Sequence, residues 1–249
     1  MERFAHVFRR YGGTLARCAF PDSCVFCGSR AYGHICFSCR ADLPRIEDPC
    51  RRCSQPLERV GSGASNRWET HPVDCADCQQ DPPPFRRARA ALLYDYPVDV
   101  ALKAFKFGHA LYYVPAFTEL LLAEFLQNFR ESDALVPVPL HRWRYATRGF
   151  NQATELCRHL GRATGVPVVT GIRRTRWTRP QSNLDAASRR RNLKGAFTPI
   201  GRLACRHPLV VDDVLTTGET VRQLARTLLA AGARTVDVLA LARAADRAA

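Results

Sequence analysis

The chain has 249 residues, enough for one large domain or two small ones, and its hydrophobic content of 46% is that of an ordinary globular protein. No apolar run approaches the roughly 18 residues of a membrane span, and the N-terminal segment lacks the apolar core of a signal peptide. These features argue against membrane insertion and secretion, and we expect a cytoplasmic protein. The formal net charge of +14 favours anionic partners.

Cysteine dominates the N-terminal third of the chain. Eight of the eleven cysteines form four C-x-x-C pairs, at Cys24/Cys27, Cys36/Cys39, Cys50/Cys53 and Cys75/Cys78. Such a pair can place two thiolates on one tetrahedral metal ion, and two pairs complete a Cys₄ site. We therefore expect two Zn²⁺ ions with a structural role, because a closed Cys₄ site has no open position for a substrate.

Disulfide bonds and redox-active dithiols are the alternatives for these cysteines. An odd total and the missing secretion signal argue against a disulfide framework, and four C-x-x-C pairs in series are rarely redox-active. Sequential pairing, in which the first pair joins the second and the third joins the fourth, is the simpler arrangement. Spacing alone leaves crossed pairing open.

The composition changes at DPPPF (81–85), where three consecutive prolines form a stiff connector. We place the domain boundary there, with a double zinc-ribbon-like domain over residues 1–81 and a second domain over residues 82–249. The second domain carries +13 of the formal net charge of +14. The basic character of the protein therefore belongs to the second domain.

Strand and helix patterns alternate along the second domain. Predicted strands cover 91–96, 134–139, 166–169, 209–213 and 235–243, and predicted helices cover 98–108, 115–129, 151–165 and 219–233. This alternation predicts an α/β fold, in which a mostly parallel sheet is flanked by helices on right-handed crossovers. Ligands of such sheets bind at the carboxyl ends of the strands.

The stretch LVVDDVLTTGET (209–220) runs from a buried strand through two adjacent carboxylates into a small-residue loop that opens a helix. Free backbone amides and the helix dipole make this loop a cradle for a phosphate, and Gly218 permits close backbone approach. Asp212 and Asp213 can accept hydrogen bonds from a diol or bind a metal ion. A ribose 5-phosphate would satisfy both halves of the motif.

This stretch resembles the phosphoribosyl pyrophosphate (PRPP) signature of type I phosphoribosyltransferases, and it lacks the GK[ST] end of a P-loop. The whole chain is similar to the ComF/GntX family. The resemblance rests on the four cysteine pairs, on LKAFKF (102–107), on VPVPLHRWRYATRGFNQ (136–152) and on the basic stretch that ends in KGAF (194–197). It implies a type I phosphoribosyltransferase-like sheet preceded by a small zinc-ribbon domain, with PRPP and Mg²⁺ as ligands.

The resemblance also assigns residues to the parts of PRPP. The ribose hydroxyls would be held by Asp212 and Asp213, and the 5-phosphate by Thr216, Thr217, Gly218, Glu219 and Thr220. The pyrophosphate with its Mg²⁺ needs cationic donors. The basic positions that could supply them are Lys103, Lys106, Arg142, Arg144, Arg148, Arg179 and Arg189. Each of these positions could instead belong to a solvated charged surface, and the spacing of the two lysines on one helical face does not separate these roles.

Residues 173–194 form the most basic stretch, with eight basic residues against Asp185 and with Trp177 among them. In the superfamily that the chain resembles, a flexible loop at this place closes over the bound diphosphate, which would exclude water. A groove for single-stranded DNA is the second interpretation, because arginines can follow the phosphates and an aromatic ring can stack on a base. The two uses are compatible.

Three functions therefore agree with the sequence. In the first, the protein binds PRPP and single-stranded DNA and serves DNA uptake in natural transformation, with DNA-uptake proteins as further partners, as the family resemblance implies. In the second, it is an active phosphoribosyltransferase, a glycosyltransferase that displaces pyrophosphate from PRPP with an acceptor that the sequence does not identify. In the third, it is a PRPP-sensing regulator whose zinc domain recruits a partner protein. We expect the first and assign no catalytic residue.

Overall fold

The computed structural model describes four parts of the protein, which are residues 22–57, 73–175, 195–201 and 203–245. Arg179 and Arg189, which are expected to contact pyrophosphate, lie outside these parts, as does Trp177. Among the helices of the described parts, none has both the length and the apolar character that crossing a bilayer requires.

The cysteine-bearing part is built from short elements. These are the antiparallel strands β1 (Asp22–Ser23) and β2 (Arg30–Ala31) and the helices α1 (Phe37–Ala41) and α2 (Ala76–Gln80). Each helix begins directly after the first cysteine of a C-x-x-C pair. At the start of α1 the Sγ of Cys36 accepts a hydrogen bond from the backbone N–H of Cys39, so the cysteine pair itself caps the helix.

From residue 88 onward, strands and helices alternate. They are β3 (Ala88–Leu93), α3 (Val98–Phe107), a 3₁₀ turn (Leu111–Tyr113), α4 (Val114–Asn128), β4 (Ala134–Pro137), α5 (Arg142–Arg148), α6 (Gln152–Thr164), β5 (Ile172–Arg174), β6 (Phe197–Pro199), β7 (Pro208–Leu215), α7 (Glu219–Ala230) and β8 (Asp237–Arg243). Most bounds lie within three residues of those that the hydrophobic pattern predicts.

Three features differ from the sequence prediction. The predicted strand 166–169 forms a single bridge, between Leu135 and Val168, because Pro167 has no N–H for a longer ladder. Between the predicted strand 134–139 and the predicted helix 151–165, where the pattern predicts neither strand nor helix, the chain forms the short helix α5, whose N-cap is His141. The antiparallel pair β5–β6 does not follow from the sequence pattern, because its strands are short and far apart in the chain.

The main sheet has four parallel strands in the order β3–β8–β7–β4. The two central strands, β7 and β8, are largely buried and rich in apolar residues, as expected where helices cover both faces of a parallel sheet. The predicted α/β fold is therefore confirmed. Because all four strands run in one direction, their carboxyl ends meet at one edge, where Leu215 of β7 lies beside Arg243 of β8.

Helices pack on both faces of this sheet. One core contains α3, α4 and α6 and includes the fully buried Phe117, and the other contains α7, whose Leu224 is also fully buried. Successive side chains of a strand point to opposite faces, so Val210 of β7 joins the core of α7 and Val211 joins the core of α4.

The second half of the cysteine-bearing part lies along the outer edge of the sheet. The backbone N–H of Ala88 in β3 donates to the carbonyl of Arg52 at 2.6 Å, and the N–H of Ala90 donates to the Oγ of Ser54 at 3.1 Å. These bonds satisfy backbone donors of the edge strand that no neighbouring strand pairs. They also join residues 1–81 to residues 82–249, although the boundary between the two predicted domains stays a prediction.

Candidate functional site

The carboxyl end of β7 leads through a short loop into α7. The loop comprises residues 216–218, and Glu219 is the first residue of the helix. Gly218 has a φ of +73°, in the left-handed region that a residue with a Cβ adopts only with strain. The loop and the first turn of α7 bring free backbone N–H groups to the edge where the acidic pair lies. This arrangement suits an anion such as a phosphate.

The side chains around this loop differ in their surroundings. Thr216 is exposed, and Thr217, Gly218 and Thr220 are half-buried. The side chain of Glu219 is buried, and its Oε1 accepts a hydrogen bond from the Nε2 of Gln223 at 2.7 Å. Glu219 can therefore offer a backbone N–H to an anion, whereas its carboxylate is held by its own helix.

The two lysines of α3 have different partners. The Nζ of Lys106 lies 3.0 Å from the Oδ1 of Asp213, and both side chains are largely buried. The Nζ of Lys103 lies 2.7 Å from a carboxylate oxygen of Asp99, and this lysine is 59% exposed. The structure thus brings Lys106 to the acidic pair and leaves Lys103 in a solvent-exposed pair one turn away.

Asp212 lies in an environment that opposes its ionisation. Burial, and then the neighbouring charge of Asp213, raise the pKa of Asp212 to about 7, while Lys106 acts in the opposite direction. One hydrogen bond to the carboxylate is in place, since the backbone N–H of Asp213 donates to the Oδ1 of Asp212 at 2.9 Å. The positive charge and hydrogen-bond donors at this edge are therefore too few to stabilise two ionised carboxylates. The hydroxyl groups of a ligand would add donors, and a divalent cation would add positive charge.

Helix α5 carries three of the arginines expected to contact pyrophosphate. Arg142 is exposed, and Arg144 and Arg148 are half-buried. The Nη1 of Arg148 donates to the Oε1 of Gln152 at 3.4 Å, and its guanidinium lies 4.9 Å from the ring centroid of Phe107. Burial, and then the charge of Arg148, lower the pKa of Arg144. Repulsion among these cations would be relieved by a bound anion.

Arg174 of β5 is a candidate site residue that the sequence did not single out from its basic surroundings. It is 9% exposed, and its guanidinium lies 5.8 Å from the ring centroid of Phe197. Burial lowers the pKa of Arg174 to about 10, Arg144 adds to this effect and Asp212 opposes it. Arg174 is thus close enough to interact with both α5 and the acidic pair. The pairing of β5 with β6 brings it there, and this long-range pairing leaves no local sequence signal.

A depression of about 780 Å³ lies beside α5. Its lining includes Trp143 and Tyr145, which are 61% and 53% exposed, together with Arg142 and Arg173. None of the described residues that line it is acidic. Exposed aromatic rings next to guanidinium groups are the combination that binds an unpaired nucleobase and its phosphate.

His141 forms the inner part of this depression. The side chain is buried, and its Nδ1 accepts a hydrogen bond from the backbone N–H of Trp143 at 3.4 Å. Burial, and then the charge of Arg174, lower the pKa of His141. The imidazole is therefore neutral near pH 7, with its proton on Nε2, where it can act as a hydrogen-bond donor.

Arg243, at the end of β8, holds the backbone of the loop through hydrogen bonds to carbonyl groups. It is 4% exposed. Its Nη1 donates to the carbonyls of Leu215 and Ala244, both at 3.1 Å, and also to the carbonyl of Thr216. The sequence reads as an apolar strand that ends in an arginine, so it gave no reason to connect Arg243 with the loop 28 residues before it.

The eight paired cysteines form two clusters, and the pairing is sequential. Cys24, Cys27, Cys36 and Cys39 form one cluster, and Cys50, Cys53, Cys75 and Cys78 form the other; in each, the four Sγ atoms lie within 4.8 Å of one another. The Sγ atoms of Cys27 and Cys36 are 3.7 Å apart, and those of Cys53 and Cys75 are 3.6 Å apart. A tetrahedron with Zn–S bonds of about 2.3 Å has edges of roughly 3.8 Å, so both clusters could hold a zinc ion.

The backbone around the second cluster also fits a metal site. The N–H of Cys75 donates to the Sγ of Cys50 at 3.2 Å, which is the way in which a metal-bound thiolate is usually stabilised. Hydrogen bonding from Cys53 lowers the pKa of Cys50 to about 4, whereas the same contact, with burial, raises the pKa of Cys53. Four thiols at this distance cannot all ionise alone, and a divalent cation would allow them to do so.

The chain is similar to known proteins over most of its length. Residues 121–249 match the family model described as "Phosphoribosyl transferase domain". Over 233 residues the chain is 36% identical to "DNA utilization protein YhgH" of Escherichia coli O157:H7, which covers 90% of this chain and 97% of that protein.

Two further relatives are named for competence. The chain is 28% identical to "Competence protein F" of Haemophilus influenzae, over 84% of this chain and 96% of that protein. It is 28% identical to "Competence protein ComFC" of Streptococcus pneumoniae, over 88% of this chain and 99% of that protein. These alignments extend well beyond the residues that match the phosphoribosyl transferase model, into the N-terminal half of the chain.

Proposed function

Because the chain belongs to the ComF family of phosphoribosyltransferase-domain proteins, we propose that it binds PRPP with Mg²⁺ and serves the uptake of DNA. One observation carries the first part of this proposal. Asp212 and Asp213 adjoin a loop whose Gly218 has a left-handed backbone, and Lys106 forms an ion pair with Asp213. A ribose diol and a 5-phosphate, joined in one molecule, match the two halves of this edge.

The parts of PRPP would be held as follows. The amides and hydroxyls of residues 216–220 would bind the 5-phosphate, and the acidic pair would accept hydrogen bonds from the ribose hydroxyls. Arg144, Arg148 and Arg174 would contact the diphosphate. Mg²⁺ would neutralise part of the diphosphate charge, and it fits an edge at which burial and a neighbouring carboxylate raise the pKa of Asp212.

Calorimetric titration tests the PRPP site directly. Wild-type protein should show saturable binding of PRPP in the presence of Mg²⁺, and Asp212→Asn/Asp213→Asn should weaken it by about 100-fold or more, since each lost charged hydrogen bond costs about 1.5–3 kcal/mol. The double variant must keep the thermal transition and metal content of a folded protein. Absence of binding to folded, metal-loaded wild type at millimolar PRPP would contradict the proposal.

The two lysines of α3 provide a matched pair of variants. Lys106→Gln removes the cation beside Asp213 and should weaken PRPP binding by about tenfold, because the two carboxylates then repel the ligand phosphates more strongly. Lys103→Gln removes an equal charge from the exposed pair with Asp99 and should change affinity by less than about twofold. Equal losses in the two variants, measured in the same titration, would show that only the net charge matters.

Single-stranded DNA is the second ligand that we propose, and the depression beside α5 favours it. Trp143 and Tyr145 expose aromatic faces there, and Arg142 and Arg173 stand beside them. An unpaired base can stack on such a ring while its phosphate contacts a guanidinium. DNA that has been taken up as a single strand presents this chemistry, whereas the bases of duplex DNA are stacked on each other.

Variants of this depression separate stacking from charge. Trp143→Ala should weaken binding of a short oligonucleotide by about tenfold without changing its salt dependence, because one stacked base contributes about 1–3 kcal/mol. Arg142→Gln should lower the slope of log affinity against log salt by about one. Fluorescence anisotropy at several salt concentrations measures both quantities. Unchanged binding in both variants would place the DNA elsewhere on the protein, and absence of binding to the wild type would exclude DNA as a ligand.

A further inference from the structure

We infer that the second cysteine cluster, formed by Cys50, Cys53, Cys75 and Cys78, supports the loop 216–220. Arg222 is the positioning residue that connects them, and Arg243 holds the loop backbone beside the cluster. The link to PRPP affinity rests on the function proposed above. The link to the order of the loop does not, because it concerns the protein without ligand.

The first connection runs through α2 and α7. Cys75 and Cys78 belong to α2 and its N-cap, and Asp81 ends this helix. The Nη1 of Arg222, in the first turn of α7, donates to the Oδ2 of Asp81 at 3.1 Å, and its Nη2 donates to the carbonyl of Asp81 at 2.8 Å. The side chain of Arg222 is only 12% exposed. One fixed guanidinium therefore joins the helix that carries two cysteines to the helix that opens at the loop.

Arg222 is also tied to the loop through the backbone. Its N–H donates to the carbonyl of Gly218 at 3.0 Å, in the first bond of α7. Gly218 has the left-handed conformation that turns the chain from the loop into the helix. A displacement of Arg222 would therefore move the residue on which the shape of the loop depends.

The cluster and the loop line the same cavity of about 60 Å³. Its lining includes Cys53, Cys75 and Cys78 of the cluster and Thr217 and Gly218 of the loop. Arg243 also lines this cavity, and its guanidinium donates to the carbonyl groups of residues 215, 216 and 244. The cluster and the loop are thus neighbours, with Arg243 holding the loop backbone at the place where they meet.

The first cysteine cluster lies against a different part of the protein. The ring of Phe26 lies 6.1 Å from that of Tyr113, at the start of α4. Arg40 of α1, next to Cys39, forms an ion pair with Glu119 of α4. The ion pair between Arg40 and Glu119 resembles the one between Arg222 and Asp81, because each joins a short cysteine-bearing helix to a longer helix that packs on the sheet. It therefore supplies the control.

Hydrogen exchange of the backbone amides of residues 216–220, followed by mass spectrometry in the absence of PRPP, tests the inference. Arg222→Gln should raise their exchange rates by about tenfold, as expected when a local opening becomes easier. Arg222→Lys, which keeps the charge and one donor, should recover part of the protection. Arg40→Gln should leave these amides unchanged. All variants should bind the same amount of zinc and unfold at similar temperatures.

Titration of PRPP with Mg²⁺ into the same variants adds a second measurement. Arg222→Gln should weaken binding by about fivefold, within the range of couplings between neighbouring sites, and Arg40→Gln should not. Equal exchange in the Arg222→Gln and Arg40→Gln variants, or unchanged exchange in both, would overturn the inference. If no variant or wild type binds PRPP but exchange follows the expected pattern, the proposed function fails and the inference stands.

Discussion

Removal of zinc from the two cysteine clusters is expected to unfold residues 22–57 and 73–80 and to lower the melting temperature by about 10 °C or more. Few large apolar side chains are buried in this part of the chain; Ile35 and Leu43 are two of them. A core of this size cannot offset the conformational entropy of the ordered residues. Metal binding must therefore supply the free energy, and structural zinc sites in peptides contribute about 10–16 kcal/mol.

Calorimetry and metal analysis measure this effect together. Purified protein should contain two zinc ions per chain, and a thiol-reactive reagent should release both as the clusters are modified. Cys157→Ala is a suitable control, because Cys157 is buried in the helical core and belongs to neither cluster. It should keep both ions. A protein that is folded without metal, or one that contains disulfides in place of free thiols, would contradict the expectation.

Asp212→Asn is expected to stabilise the protein at pH 8 and to have little effect near pH 4. The pKa of Asp212 is raised from 3.8 to about 7 in the folded state, chiefly by burial. The folded state therefore holds a proton that the unfolded state has released between these values, and stability falls as pH rises from about 4 to about 7. The full shift corresponds to about 4 kcal/mol, and we expect about half of it because Asp212 is partly exposed. An asparagine at this position stays neutral, so its contribution to the free energy of unfolding does not change over this pH range.

Urea unfolding at several pH values compares the variant with wild type. The difference in unfolding free energy between Asp212→Asn and wild type should grow with pH and level off above about pH 8. Asp95→Asn, which replaces an aspartate exposed after β3, is the matched control. A constant difference at all pH values would mean that the pKa of Asp212 is the same in the folded and unfolded states. A stabilised variant that binds PRPP poorly would show that this carboxylate is retained at a cost in stability.

Local patterns in the sequence were enough to predict the structural features that depend on residues close together in the chain. The C-x-x-C spacing predicted both clusters, because two thiolates on one turn can reach one metal ion. The apolar run before Asp212 predicted a buried strand, and the small residues after it predicted a loop and a helix start. These features follow from the period of hydrophobic residues and from the backbone preference of glycine at Gly218.

Features that depend on residues far apart in the chain did not follow from the sequence. Lys103 and Lys106 lie on the same helical face in the sequence pattern, which does not distinguish their roles. Only the tertiary position of α3 brings Lys106, and not Lys103, to Asp213. Arg174 and Arg243 reach the site through strand pairing with β6 and β7. Strand register over such separations is set by tertiary packing, which no local window contains.

The hydrogen bonds that Arg52 and Ser54 accept from β3 have a consequence for handling the protein. A bare edge strand with free N–H and C=O groups is a template for strands of other molecules. Loss of zinc from the second cluster would release the segment that covers this edge. Protein made in zinc-starved cells, or stored under conditions that oxidise its thiols, should therefore accumulate as insoluble material even though the sheet itself stays folded. Supplementing the growth medium with zinc should raise the soluble yield.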